Sequence, residues 1–116
     1  MAIKKITAIF DELHVEKVAN ALEAHGVKGF TVHPVKGRGS YCNTFSRNHL
    51  VRHTQIEIYT AENHAKKIAR LLMKVAHVGA DSEGLVAITS VDELNWIFQQ
   101  KQAVIEDFNY FEVENG

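Results

Sequence analysis

The chain has 116 residues, of which 46% are apolar and 23% are charged, so it is long enough for one domain with a single hydrophobic core and too apolar for a disordered chain. A formal net charge of −1 argues against a general nucleic-acid binder, and no apolar run approaches the roughly 20 residues of a membrane helix. Cys42 is the only cysteine and the chain starts without the apolar run of a signal peptide, so we expect a cytoplasmic protein without an internal disulfide.

The first third of the chain predicts a strand, a helix and a second strand. Residues 3–10 are rich in β-branched and apolar side chains, which favours a strand. Apolar residues recur at helical spacing from Leu13, and Gly26 is a usual residue just past a helix end. Residues 29–36 predict a second strand. Pro34 indicates that this strand is irregular or at a sheet edge, because proline cannot donate a ladder hydrogen bond.

A long polar segment separates this part from the second half of the chain. Residues 37–53 have no sustained apolar period and predict a loop, and loops of this length in a compact domain are usually functional. Residues 54–59 alternate as a third strand, and Thr60 is placed to cap a second helix that Gly79 closes. Residues 84–91 predict the fourth strand. The second half therefore repeats the strand and helix content of the first.

The element order β-α-β-β-α-β predicts an α+β, ferredoxin-like domain, with two helices on one face of a four-stranded antiparallel sheet. From residue 92 the chain continues into an appendix rich in aromatic residues, which we expect to pack on the body or on a neighbouring subunit. We divide the chain into a domain over residues 1–98, with the long loop at about residues 37–53, and a C-terminal extension over residues 99–116.

The exit from the second strand carries the strongest chemical signal. Gly37 and Gly39 bracket a turn in which backbone N–H groups can turn toward an anion, and Lys36 and Arg38 add positive charge beside them. From local chemistry alone a plain glycine turn is an equal or better interpretation. The segment is neither a Walker loop nor a dinucleotide-binding fingerprint. The loop at residues 79–84 could also offer backbone donors, or could simply join a helix to a strand.

The residues that could support metal binding or catalysis give weaker signals. Cys42, His49 and His53 are ligand types that zinc accepts, but their spacing lacks the paired cysteines of structural sites. No oriented partners accompany Cys42 as a nucleophile. A small acyl-phosphate hydrolase of the same fold would need an arginine in the loop after the first strand, where Asp11 and Glu12 stand instead. We therefore expect neither a catalytic residue nor a metal site nor a cofactor.

Four segments resemble PII signalling proteins: residues 4–9 their first strand, residues 18–32 their first helix and second strand, residues 35–39 the base of their T-loop, and residues 56–58 their third strand. The resemblance implies a homotrimer with three adenine-nucleotide sites between subunits. It also implies a T-loop that contacts a partner, such as a membrane transporter or an enzyme. Nothing in it implies nucleic acid as a partner.

The resemblance also assigns roles to particular residues. The residues carried over to the phosphate side of the nucleotide are Gly37, Arg38, Gly39, Ser40, Glu83 and Gly84. The residues expected from the adjacent subunit are Gly29, Phe30 and Thr31 near the adenine and Glu57 near the ribose or base. Further candidates for anion contact at or in the T-loop are Lys36, Tyr41, Arg47 and Arg52.

Several departures from the family pattern refine this expectation. Leu85 stands where the family has a phosphate-binding lysine, and Trp96 and Phe98 stand where it has two arginines. Tyr41 lies near the position of the glutamine that helps hold magnesium and 2-oxoglutarate. These losses favour ADP or AMP over ATP. They also make the chain similar to the PII-like branch that is linked to inorganic carbon and carboxysomes. That resemblance implies bicarbonate as a possible second ligand. Nitrogen-regulatory PII function, or another ferredoxin-like small-molecule or metal sensor, is the alternative.

Overall fold

A computed structural model describes residues 2–38, 50–77 and 84–108 of the chain. The main elements, in chain order, are β1 (Ile3–Phe10), α1 (Val15–Ala24), β2 (Thr31–Gly37), β3 (Val51–Ala61), α2 (Glu62–Ala76) and β4 (Gly84–Val91). A small hairpin of β5 (Asn95–Trp96) and β6 (Lys101–Gln102) follows, and short 3-10 turns lie at Glu12–His14 and Ile105–Phe108. Within the described ranges, neither helix combines the length and apolar character needed to span a membrane.

The four long strands form one antiparallel sheet in the order β2-β3-β1-β4. Ile6 at the centre of β1 pairs with Ile58 of β3 on one side and with Ile88 of β4 on the other. This is the predicted ferredoxin-like βαββαβ fold. The strand that contains Pro34 is an edge strand, as expected, so its missing N–H interrupts no ladder on the outer side.

The core lies between one face of the sheet and the two helices. Alternate residues of β1 and β3 are buried, as the period of two in a strand requires. The core cluster consists of Ile6, Ala8, Phe10, Ile56 and Ile58 from the sheet, Val18 and Leu22 from α1, Val27, and Ala65, Ile68, Leu71 and Leu72 from α2. The side chains in between, such as Lys5, Glu57 and Tyr59, therefore lie on the opposite, helix-free face of the sheet.

Several element boundaries differ from the sequence prediction. β2 begins at Thr31 rather than at residue 29 and ends at Gly37, and α1 begins at Val15, after a 3-10 turn at Glu12–His14. β3 begins at Val51 and runs for 11 residues, so Arg52 and His53 belong to the strand, because pairing with β2 continues to the Gly37–Val51 pair. Thr60 lies inside β3 and does not cap α2. The N-cap is Ala61, which makes no side-chain cap hydrogen bond, and the Thr60 hydroxyl donates to the Ala61 carbonyl at 3.2 Å. The predicted closing residue Gly79 lies outside the described residues.

The appendix packs on the body of the domain, as predicted, within residues 92–108. Phe108 is buried, with its ring edge-on to Tyr59 of β3 at 6.5 Å and stacked on Trp96 at 5.4 Å. Because Tyr59 is on the helix-free face, the appendix covers one end of that face. The proposed division between residues 98 and 99 lies within the turn of the β5–β6 hairpin.

Candidate functional site

One groove brings together several of the residues predicted to contact a nucleotide. Its volume is about 490 Å³, within the usual range for small-molecule sites. The residues that line this aromatic groove are Lys28, Gly29, Phe30, Thr31, Glu57, Tyr59, Leu94, Asn95, Trp96, Asp107 and Phe108. Gly29, Phe30, Thr31 and Glu57, which the family resemblance assigns to the base and ribose, thus share one cavity on a single chain.

The end of α1 determines where the groove begins. Gly26 has φ 86°, the Gly26 N–H donates to the Glu23 carbonyl at 3.1 Å, and the Val27 N–H donates to the Leu22 carbonyl at 2.9 Å. These two bonds and the left-handed glycine form a Schellman motif, which ends the helix sharply. Val27 is buried behind the turn. The chain is thereby redirected into residues 28–31, which form one wall of the groove.

Glu57 is an ionised carboxylate at the floor of the groove. Its side chain pairs with the Lys5 ammonium at 2.9 Å and accepts from the Gln55 amide at 3.3 Å, and the His33 ring lies 3.9 Å away. The hydrogen bond from Lys5 lowers the pKa of Glu57 and, in return, raises the pKa of Lys5. Thr31 pairs with Glu57 across β2 and β3. A charged acceptor of this kind suits the amino or hydroxyl donors of a ligand.

Trp96 is held in a fixed orientation at the opposite wall. Its indole N–H donates to an Asp107 carboxylate oxygen at 2.8 Å, and the Val104 N–H donates to the same oxygen at 3.2 Å. These two donors lower the pKa of Asp107. The indole also stacks on Phe108 with an interplanar angle of 15°. The wall is therefore aromatic and preorganised, as a flat ring ligand requires.

Sequence reasoning missed the contribution of Tyr59, Trp96, Asp107 and Phe108 to this groove. The aromatic density of the appendix was a usable signal, since it indicated packing on the body. Which part of the body it covers depends on contacts between residues far apart in the chain, so the sequence pattern could not place it.

A second cluster lies where β2 and β3 end. Lys36 is directly opposite Arg52, and both side chains are exposed. Arg38 follows one residue after the paired Gly37. Residues 34–38 and 50–54 contain no aspartate or glutamate. Like charges opposite each other on neighbouring strands repel, and an anion bound between them would remove this repulsion. The cluster is therefore suited to a phosphate or another small anion.

The aromatic groove and this cationic cluster lie apart on one chain. From Thr31 to Gly37, β2 advances by six residues, which at the strand rise corresponds to roughly 20 Å. The structure thus brings the predicted base-side residues together, and separately brings Lys36, Gly37, Arg38 and Arg52 together. Among the described glycines, those with a positive φ are Gly26 and Gly84. Gly37 therefore does not adopt the left-handed conformation.

Gly84 lies in neither cluster. It pairs with Phe10 at the end of β1 and lines a different cavity, of about 280 Å³, between α2 and β4. Gly84 has φ +119°, and a Cβ there would lie 1.8 Å from the Ile9 carbonyl oxygen. This position therefore requires glycine for backbone reasons, whatever it contributes to a ligand.

The remaining predicted residues lie outside the described residues. These are Gly39, Ser40, Tyr41, Arg47 and Glu83. Among the residues that the structure does describe, no three His, Cys, Asp or Glu side chains group in a way that could hold a metal ion. Of the zinc candidates only His53 is described, and it is buried in β3.

The fold and the two clusters define a class of protein: a small ferredoxin-like domain with a preorganised groove and a cationic strand end. The particular family follows from comparison with known proteins. The family profile described as "Nitrogen regulatory protein P-II" matches residues 3–101. The chain therefore belongs to the PII family, whose members are regulatory signalling proteins rather than enzymes.

Curated relatives carry the same family name. "Nitrogen regulatory protein P-II 2" of Methanothermobacter thermautotrophicus is 35% identical over 99 residues, which cover 79% of this chain and 86% of the relative. "Nitrogen regulatory protein P-II 1" of the same organism is 31% identical, over 77% of this chain and 84% of the relative. "Nitrogen regulatory protein P-II" of Azospirillum brasilense is 26% identical, over 79% of this chain and 88% of the relative.

Proposed function

We propose that this protein is a PII regulator that binds an adenine nucleotide between the subunits of a homotrimer. The base lies in the aromatic groove of one subunit, and the phosphates lie at the cationic strand end of the next, at Gly37 and Arg38 together with Gly39 and Ser40. Proteins of the family are trimers that bind adenine nucleotides and partner proteins. The observation that carries the proposal is the separation of the two clusters by roughly 20 Å along β2.

The separation supports an intersubunit site because a nucleoside diphosphate is shorter than this distance. A single chain therefore offers each end of the ligand a suitable surface but cannot offer both to one molecule. Aromatic rings and a carboxylate suit a base and ribose, whereas Lys36, Arg38 and Arg52 suit a phosphate. A neighbouring copy supplies the missing half of each site.

The first experiment is to measure mass and binding together. Light scattering is expected to give three times the 13.0 kDa chain mass. Calorimetric titration with ADP is expected to show one site per chain. The substitution Phe30→Ala in the groove is expected to lower the affinity for ADP. A stable monomer at micromolar concentration, or no heat with AMP, ADP or ATP, would contradict the proposal.

We propose further that ADP or AMP is preferred over ATP. Leu85, Trp96 and Phe98 replace cationic residues of the family pattern, and each lost contact to a phosphate removes about 1.5–3 kcal/mol. The Trp96 N–H is already bonded to Asp107 and Phe98 is almost fully exposed, so neither replaces a lost cation. ATP is therefore expected to bind no tighter than ADP. A preference for ATP above about tenfold, or 1.4 kcal/mol, would overturn this order.

Two signals are candidates for the one that this protein senses besides the adenine nucleotide. The names of the curated relatives support nitrogen regulation. The departure at Tyr41, and a cation pair suited to a small anion, support the inorganic-carbon branch with bicarbonate as second ligand. We favour the second and expect the T-loop, at about residues 37–53, to contact a transporter or enzyme in the cytoplasm. Titration of the ADP-loaded protein with bicarbonate and, separately, with 2-oxoglutarate distinguishes the two.

A further inference from the structure

The exposed face of α2 carries a continuous stripe of cations. The only acidic residue of this helix is Glu62, at its first position. Four exposed cations follow within an arc of about 100°, because their spacings from the first are one, four and eight residues. These residues, which form the basic face, are Lys66, Lys67, Arg70 and Lys74. Within residues 2–38, 50–77 and 84–108, no carboxylate pairs with any of them.

The composition of the basic face differs from that of an ordinary solvated helix surface. Charges of both signs usually alternate along such a surface and pair with one another. α1 follows this pattern, since Glu16 and Glu23 accompany Lys17 among its exposed residues. α2 carries one sign alone beyond its first residue, so the basic face is suited to a partner with several negative charges.

The C-terminal segment of the chain carries the opposite charge. Residues 102–116 contain four carboxylates and no lysine or arginine, and they lie beyond residues 3–101, which the family profile matches. Asp107 is already bonded to Trp96. Two further carboxylates belong to residues 109–116, which lie outside the described residues and are named the acidic tail. The sequence of the acidic tail is Asn-Tyr-Phe-Glu-Val-Glu-Asn-Gly.

The acidic tail starts within reach of the basic face. It follows Phe108, which packs on Tyr59, two residues before the end of β3. α2 begins directly after β3, so Lys66, one turn into the helix, lies at the same end of the domain. From Phe108 to Glu114, six extended residues reach about 20 Å, whereas a helix with its side chains is about 10–12 Å across. A tail that rounds this end of the sheet therefore reaches α2 of the same chain.

The carboxylates of the tail match the cations in spacing. In an extended chain, Glu112 and Glu114 project on one side and are about 6.6 Å apart. Lys66 and Arg70, four residues apart in a helix, are separated by about 6 Å along its axis. Met73, next to the basic face, is 55% exposed and offers an apolar contact to the other side of the tail. Tethering gives the tail an effective concentration of about a millimolar, so exposed ion pairs that are individually weak suffice.

We propose that the acidic tail docks on the basic face of α2 in its own chain, with its two carboxylates paired to the cations there. The tail covers this face at low ionic strength and leaves it when salt or a competing polyanion screens the pairs. The contact goes beyond the proposed function, because it requires neither a nucleotide nor a second copy of the chain.

The first test couples carboxylates to amines with a zero-length carbodiimide and locates the linked peptides by mass spectrometry. At low salt, the full chain is expected to link either tail glutamate to lysines of the basic face. Lys17, an exposed lysine of α1, is the matched control and is expected to give no link to the tail. At about 1 M salt, where the screening length is about 3 Å, the links are expected to fall at least tenfold. Equal linking to Lys17, or no link to α2, would overturn the proposal.

Two additions separate the tail of the same chain from other occupants of the basic face. In protein assembled from equal parts of isotope-labelled and unlabelled chains, the links are expected to join peptides with the same label. Links between differently labelled peptides would overturn the contact within one chain. Vesicles of anionic lipid that bind the protein, while its tail gives no link to α2, would assign the basic face to a membrane surface instead.

The second test exchanges the charges. Lys67→Glu combined with Arg70→Glu is expected to lower the links between the tail and the remaining lysines of the basic face at least tenfold, with unchanged far-UV circular dichroism. Adding Glu112→Lys and Glu114→Lys is expected to restore coupling between tail and helix, with the roles of amine and carboxylate exchanged. A structural effect of the helix substitutions would not be rescued in this way. Failure of the rescue in a folded protein would refute the pairing.

Discussion

Lys36→Gln is expected to change stability and ligand affinity in opposite directions. In the ligand-free protein, Lys36 lies directly opposite Arg52 at the end of the β2–β3 ladder, and like charges in this position destabilise a sheet by about 0.2–1 kcal/mol. Both side chains are exposed, so the gain from removing one charge falls near the lower end of this range. If Lys36 contacts a phosphate, the loss in affinity is about 1.5–3 kcal/mol, or tenfold and more.

The assay pairs urea denaturation of the ligand-free protein with calorimetric titration of ADP. Lys66→Gln is the control, because Lys66 is an exposed cation in α2 far from this ladder in the sequence, and it is expected to leave both quantities unchanged. The stability gain of Lys36→Gln is expected to shrink as salt is raised, since salt screens exposed charges. A variant that is less stable than the natural chain, or that binds ADP equally well, would refute the reasoning.

Three further outcomes follow from the described contacts. Gly84→Ala is expected to lower the free energy of unfolding by about 2 kcal/mol or more, since its Cβ would overlap a carbonyl oxygen of β1, and thermal denaturation with unchanged stability would contradict this. Glu57→Gln is expected to destabilise the protein at pH 7. Because the pKa of Glu57 is lowered from 4.5, this difference is present above pH 4.5 and fades as the pH falls through the folded-state pKa, which acid titration followed by circular dichroism checks. Trp96 is the single tryptophan, so ADP binding is expected to change its emission, and a silent titration in a protein that binds ADP by calorimetry would place the base elsewhere.

The position of Glu57 shows why stability and binding have to be measured on the same variant. Its carboxylate is bonded to Lys5 on the helix-free face and also lines the groove. A loss of affinity in Glu57→Gln is therefore interpreted only with the stability measured on the same protein. Phe30→Ala probes the groove without removing a charge, but Phe30 also packs against the core cluster, so its affinity is likewise compared with the stability of the same variant.

Local sequence determined several features of this protein. The bounds of β1 and β4 follow from runs of β-branched and apolar residues between polar ends, and the end of α1 follows from Gly26, whose freedom at positive φ closes the helix. Pro34 indicated an irregular strand or an edge strand, because a proline lacks the N–H that a regular central strand uses on both sides, and β2 is an edge strand. Each of these depends on residues within a few positions of one another, so the pattern carries the information.

Tertiary structure alone decided the site. The groove joins residues 28–31 to residues 94–108, and neither segment carries a local signal for the other. The register of β2 on β3 places Lys36 opposite Arg52 and extends β3 back to Val51, three residues before the predicted start. The register of β1 on β3 likewise brings Lys5 to Glu57. Strand register is set by burial and pairing across the whole sheet, whereas local periodicity specifies only which residues share a face.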